Sequence, residues 1–251
     1  MNSDMKILIL DIETSPNLVW AWGLWNQNIG INQIVEPTQM MCYAAKWYGR
    51  KTVTYKKRGN KNYLQAIWDM IDEADAVIHY NGKKFDMKHL NREFVEAGMA
   101  PPHQPKDIDL LTTVRSRFAF PSNKLDYVAG KLLGEYKVQH AGMELWTQCI
   151  ANNRDAWKVM KEYNIQDVEL TEKLYEKLRG WIKNHPNHGL FVADQTDPVC
   201  RNCGSRHVVS KGPEYDYTNV FSYQRYKCVD CGANLRGRKR IITGSGEHIV
   251  L

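Results

Sequence analysis

Met5-Lys6-Ile7-Leu8-Ile9-Leu10-Asp11-Ile12-Glu13 is an apolar run that stops at two acids. Four consecutive aliphatic residues, Ile7 to Leu10, read as a strand buried on both faces, as at the centre of an α/β sheet, with Asp11 and Glu13 at its end. Side chains two apart on a strand share a face, so both carboxylates can reach one hard cation. The run is too short for a membrane span or a signal segment, and the expectation is a cytoplasmic protein with no membrane partner.

Working outward, residues 18–24, 41–48 and 52–55 have strand character, which suggests a meander. Residues 62–74 place Leu64, Ile67, Trp68 and Ile71 at helical spacing, and 76–80 return to strand. Residues 85–97 form a second amphipathic helix, with Leu90, Phe94 and Val95 inward and Gly98 as its stop. Residues 108–114 begin as a strand, 124–133 are helical, and 155–181 are the longest helix. Strands first, then helices alternating with strands, predict a mixed α/β sheet flanked by helices. Residues 185–198, with two prolines and a glycine, read as a linker, dividing the chain into 1–184, 185–198 and 199–251.

With 251 residues, 43% of them hydrophobic, the chain can build one large core and a small satellite. A net charge of +6 suits a polyanionic partner. Of six cysteines, four form two Cys-x-x-Cys pairs, which in a chain read as cytoplasmic suggests metal before disulfide; Cys42 and Cys149 read as buried thiols.

Alone, Asp11-Ile12-Glu13 carries little weight, because roughly one Asp-x-Glu arises by accident in such a chain. A second does occur at Asp167-Val168-Glu169. Asn81-Gly82-Lys83-Lys84-Phe85-Asp86 lies where a strand passes into a helix; there Asp86 is either a ligand or a helix cap. Tyr163-Asn164-Ile165-Gln166-Asp167 stacks Tyr163 and Asp167 on one helical face, where Tyr163 is otherwise a packing aromatic.

In this order, Asp-x-Glu, Asn-(x)3-Phe-Asp and Tyr-(x)3-Asp resemble the three motifs of the DEDD, or DnaQ-like, exonucleases on the ribonuclease H-like fold. Tyr163 makes the chain similar to the DEDDy branch. Residues 41–49 and the run Lys-Leu-Asp-Tyr-Val-Ala-Gly-Lys-Leu-Leu-Gly from Lys124 are similar to exonuclease domains of family B polymerases and their stand-alone phage and bacterial relatives. The resemblance implies a 3′-to-5′ exonuclease using two Mg²⁺ or Mn²⁺ ions, with DNA favoured over RNA. Asp11 would bridge the ions, Glu13 and Asp167 complete one site, and Asp86 serve the second. Tyr163, whose hydroxyl ordinarily titrates near 10, would orient the water rather than act as its base. Thr14 and Asn81 would touch the terminal nucleotide.

Lys83, Lys84, Lys88 and Arg92 meet phosphates or form a solvated face; Lys84 is the one taken as a substrate contact. Trp20, Trp22 and Trp25 stack on bases or, the favoured expectation, are buried strand aromatics.

Cys200-x-x-Cys203-Gly204 and Cys228-x-x-Cys231-Gly232 are similar to the two knuckles of a zinc ribbon, and segments 206–210 and 221–227 have strand character. Four thiolates leave no open coordination position, so one structural Zn²⁺ is expected. Residues 196–251 hold nine Lys or Arg against five Asp or Glu, with Arg236, Arg238, Lys239 and Arg240 densest. This basic tail is expected to hold nucleic acid; the rival is a solvated tail or a docking knob for a replication or repair protein. Rivals to the whole reading are a structure-selective endonuclease, an exoribonuclease, and a catalytically silent binding module.

Overall fold

The computed structural model describes residues 5–139, 141–192 and 198–241. It divides into two compact units, Lys6–Tyr175 and a second taking in Glu176 onward. Part of segment 185–198 and the chain beyond 241 lie outside the described residues.

The first unit is built on strand β1, Ile7–Thr14. It continues past Leu10, so Asp11 and Glu13 stand inside the strand and not beyond its end. The reason is its partner β4, Met40–Trp47, whose antiparallel register runs from Leu8↔Trp47 through Glu13↔Cys42 to Thr14↔Met40. Strand β5, Thr54–Lys57, flanks β4. On its other edge β1 pairs in parallel with β6, Ala76–His79, and β6 with β7, Lys106–Asp109. The sheet order is β5-β4-β1-β6-β7, mixed as expected, and the crossover from β5 to β6 is helix α1, Tyr63–Glu73. Helix α2, Asp86–Glu96, joins β6 to β7. Helices α3, Leu110–Arg117, α4, Leu125–Leu133, α5, Met143–Ile150, and α6, Arg154–Leu178, follow.

Alternation along β1 and β4 gives each sheet face its own cover. Leu8, Leu10, Ile12, Tyr43 and Ala45 pack against Ile67 and Ile71 of α1 and Leu90 and Phe94 of α2. Cys42 packs with Leu145 and Cys149 of α5 and with Met160 and Tyr163 of α6. Asp11 and Glu13, opposite Ala44 and Cys42, therefore share the face that α5 and α6 cover.

Several elements depart from expectation. Of residues 18–24 only Leu18–Val19 is strand (β2), pairing with β3, Ile34–Glu36. Helix α5 was not foreseen. Val95 is exposed, because the inward stripe of α2 is Leu90 and Phe94, with Glu93 buried beside them. Glu93 accepts from Met40 N at 2.9 Å and pairs with Arg58, which compensates its burial.

The second unit carries an antiparallel sheet, order β10-β9-β8: β8, Val208–Tyr217, β9, Ser222–Cys228, and β10, Asn234–Ile241. The basic cluster expected as a tail is thus part of a strand, through residue 241. Leu235, one of the residues that hold it there, packs with Val208 and the cysteines.

Candidate active site

The pairing of β1 and β6 ends at Ile9, and the two strands part. The carboxyl ends of parallel strands where pairing opens are where α/β sheets gather ligands. Into this gap α2 brings Asp86, whose Oδ1 accepts from Ile12 N at 3.1 Å, replacing a lost ladder bond. The turn before it is tightly built. Asn81 has φ 75°, and its N–H donates to Asp109 Oδ1 at 3.1 Å. Gly82 N donates to His79 Nδ1 at 2.9 Å, and a Cβ on Gly82 would lie 2.4 Å from the His79 ring.

From the covering helix α6, Tyr163 and Asp167 face β1, four residues apart on one side. Carboxylate oxygens of Asp11, Glu13 and Asp167 lie within 4.8 Å of one another. An octahedral shell of 2.1 Å bonds puts opposite oxygens about 4.2 Å apart, so the cluster is close to ion-sized. Asp86 is outside this trio but borders it through the Ile12 amide.

Burying such a group has a cost that shows in its protonation. Burial first, then the charges of Asp167, Asp86 and Glu13, holds the Asp11 carboxyl well above its usual range. Burial and then Asp167 push Glu13 up to about 8. Burial raises Asp86 to about 6, with His79 and the Ile12 amide opposing. Acids lifted this way need a compensating cation to ionise together. Hard oxygens in this number suit Mg²⁺ or Mn²⁺, so the donor set fits the ions that the resemblance implies.

Two residues missing from the sequence reading belong to the cluster. Lys137 Nζ lies 2.5 Å from Asp167 Oδ2 and donates to Tyr163 Oη at 2.7 Å. Burial alone would lower the Lys137 pKa, but Asp167 beside it holds the ammonium above its usual range. Asn164, fully buried, donates from Nδ2 to Asp11 Oδ2 at 2.7 Å. A buried polar residue three before Asp167 was a usable signal for Asn164. Lys137, in an irregular stretch after Gly134, gave none. Tyr163 is itself pushed upward by burial and then by Asp167, so it is no base near neutrality.

Around the cluster, an open groove of about 510 Å³ is lined by Asn81, Arg115, Lys124 and Lys137 among others. Thr14 lines a second, of about 360 Å³, with Met143 and Trp146. Lys84 is exposed in the turn before Asp86 and joins no ion pair among the described residues. The expectation of buried tryptophans is overturned: Trp20, Trp22 and Trp25 are 75%, 98% and 82% exposed. The uncharged stretch 17–35 pairs only briefly, β2 with β3.

The family profile described as the RNase_H superfamily matches residues 8–179. The chain belongs to the ribonuclease H superfamily. Its fold is that of metal-dependent nucleic-acid hydrolases, and the ribonuclease H-like unit holds the acidic trio. Among solved structures, a family B DNA polymerase from the hyperthermophilic archaeon Pyrobaculum calidifontis is similar, with a TM-score of 0.52 and 18% identity over 70% of this chain. The similar region is 25% of that polymerase, and the likeness is one of fold. No curated protein sequence matches the chain. No described helix is long and apolar enough to cross a membrane.

In the second unit, Cys200, Cys203, Cys228 and Cys231 bring their sulfurs within 4.8 Å of one another, at 3.6 Å for Cys200–Cys231 and for Cys203–Cys228. Sulfurs around a tetrahedral Zn²⁺ with 2.3 Å bonds lie about 3.8 Å apart, whereas a disulfide needs about 2.05 Å. Gly204 and Gly232, at φ +76° and +72°, turn the chain so that their amides donate to the carbonyls of Cys200 and Cys228. Arg236, Arg238, Lys239 and Arg240 are all exposed along β10.

Proposed function

We propose that the protein is a 3′-to-5′ exonuclease of the DEDDy type acting on nucleic acid, with DNA favoured. The observation that carries the proposal is the convergence of Asp11 and Glu13 from strand β1 and Asp167 from helix α6, distant in sequence, on one ion-sized space beside Tyr163. Asp11, Glu13 and Asp167 would hold one divalent ion and Asp11 with Asp86 a second; together the ions supply stabilisation of the entering and leaving oxygens of an in-line displacement at phosphorus.

The protein's own groups do the rest. Asn164 fixes the Asp11 carboxylate. Tyr163 holds the attacking water in line through its hydroxyl, which stays protonated at neutral pH. Asn81 and Thr14, each lining a groove, receive the terminal nucleotide, and Lys84 steers phosphates from the exposed turn. The four cysteines form a zinc ribbon around one structural Zn²⁺, and Arg236, Arg238, Lys239 and Arg240 hold nucleic acid.

The test is a gel of end-labelled DNA and RNA, with free and blocked 3′ ends, in Mg²⁺ or Mn²⁺. Ladder shortening from a free 3′ end that disappears in Asp11→Ala supports the reading. Cleavage of 3′-blocked substrates would make it an endonuclease, and turnover by Asp11→Ala would overturn the site.

A further inference from the structure

We infer that the outer face of the β8–β10 sheet is a single-strand binding surface, which grips phosphates with arginines and stacks bases on aromatic–guanidinium pairs. The register sets Arg236 directly opposite Arg225 and Arg240 opposite Tyr223. Directly opposed residues of an antiparallel pair share a face, and so do residues two apart on one strand. Arg225 and Tyr223 therefore stand on one side with Arg236 and Arg240. The opposite side carries Tyr226 and Leu235, and Leu235 packs on the cysteines.

The guanidinium of Arg236 lies 4.6 Å from the Tyr223 ring centroid and that of Arg240 5.3 Å from Phe221. Such piles present flat cationic tops. Asp216, opposite Tyr223, shares the face, and its Oδ1 accepts from Tyr217 N. Among the described residues, Arg236 and Arg240 join no ion pair.

Arginine planes and aromatic rings take unpaired bases, whose faces a duplex keeps stacked inside. The combination therefore selects a single strand, where charge alone would take any polyanion. This rests on nucleic acid being the substrate, but not on the carboxylates being competent.

The test is fluorescence anisotropy of the full chain with a labelled single strand of about 12 nucleotides. A duplex of the same length and heparin serve as comparisons, without divalent cations, from roughly 50 to 200 mM KCl. Arg225→Ala with Arg236→Ala should flatten the log Kd against log salt slope by about 1.4, from two phosphates at roughly 0.7 each. Tyr223→Leu should weaken single-strand binding by about 5- to 150-fold with the slope and duplex binding unchanged. Arg225→Lys with Arg236→Lys controls for folding, since it keeps the slope while losing the stack. An unchanged slope in the alanine pair, or equal losses on single strand, duplex and heparin, overturns the inference. Hydrolysis assayed in parallel separates the two readings: turnover with a silent sheet sinks only this one, and binding without turnover sinks only the exonuclease.

Discussion

Lys137 and the acids it faces define the chemistry at the residue scale. Glu13 in the metal-free fold binds its proton up to about 8 against an ordinary 4.5. The folded state therefore holds more protons than the unfolded one between those values, and this group's contribution to stability falls as pH rises from 4.5 through about 8, then levels. Binding Mg²⁺ at pH 7 should then release protons, which calorimetry in buffers of different ionisation enthalpy would detect; zero release would mean that Glu13 is already ionised. Asp11→Asn should abolish hydrolysis and yet raise the metal-free melting temperature, because an amide is neutral without the proton that burial forces Asp11 to take up; a lowered temperature would contradict the electrostatic account. Lys137→Met should destabilise the metal-free protein by about 3 kcal/mol, as expected when one partner of a buried pair is removed. The same change should tighten Mg²⁺ binding, since no ammonium competes for Asp167.

Elements explain what the sequence could and could not announce. The apolar run at Ile7 fixed a central strand in advance, and the period of α1 and α6 was legible because apolar residues recur every three or four positions along them. Asp11 and Glu13 were readable as a pair. That they lie inside the strand was not, because the β4 register that carries β1 onward to Thr14 is a long-range choice. Residues 20–24 failed for the opposite reason: aromatic content resembles a strand, but the pairing with β3 does not carry the strand past Val19. The turn between β6 and α2 makes its own prediction. Gly82→Ala would drive a methyl into the His79 ring and displace Asp86, so hydrolysis should fall by roughly 10²-fold, the usual effect of an ångström-scale misplacement, with circular dichroism unchanged. Wild-type activity in this variant would show that the turn yields without moving Asp86.

The whole molecule joins two stability regimes. The first unit has an apolar core on both sheet faces, whereas the described core of the second is little more than Cys200, Cys228, Ala233 and their immediate neighbours. With the four cysteines holding Zn²⁺ as proposed, chelation should melt the second unit alone and make four further thiols reactive, while Cys42 and Cys149 stay protected until global unfolding. Simultaneous exposure of all six would show that the units do not unfold separately. The four-cysteine spacing pointed to a small C-terminal module, whereas the compact second unit already begins at Glu176, inside the long helix α6, where the sequence gives no break. The strand nature of residues 234–241 was hidden, because Arg, Lys and Gly give little β signal without the knuckles that anchor them.

Of eight tryptophans, the three most exposed sit together on the stretch that leads away from β1. Their emission will be red-shifted and readily quenched by acrylamide, unlike that of half-buried indoles. The protein thus carries a label-free optical probe on that loop, and a blue shift on adding an oligonucleotide would report, in real time, whatever settles over it.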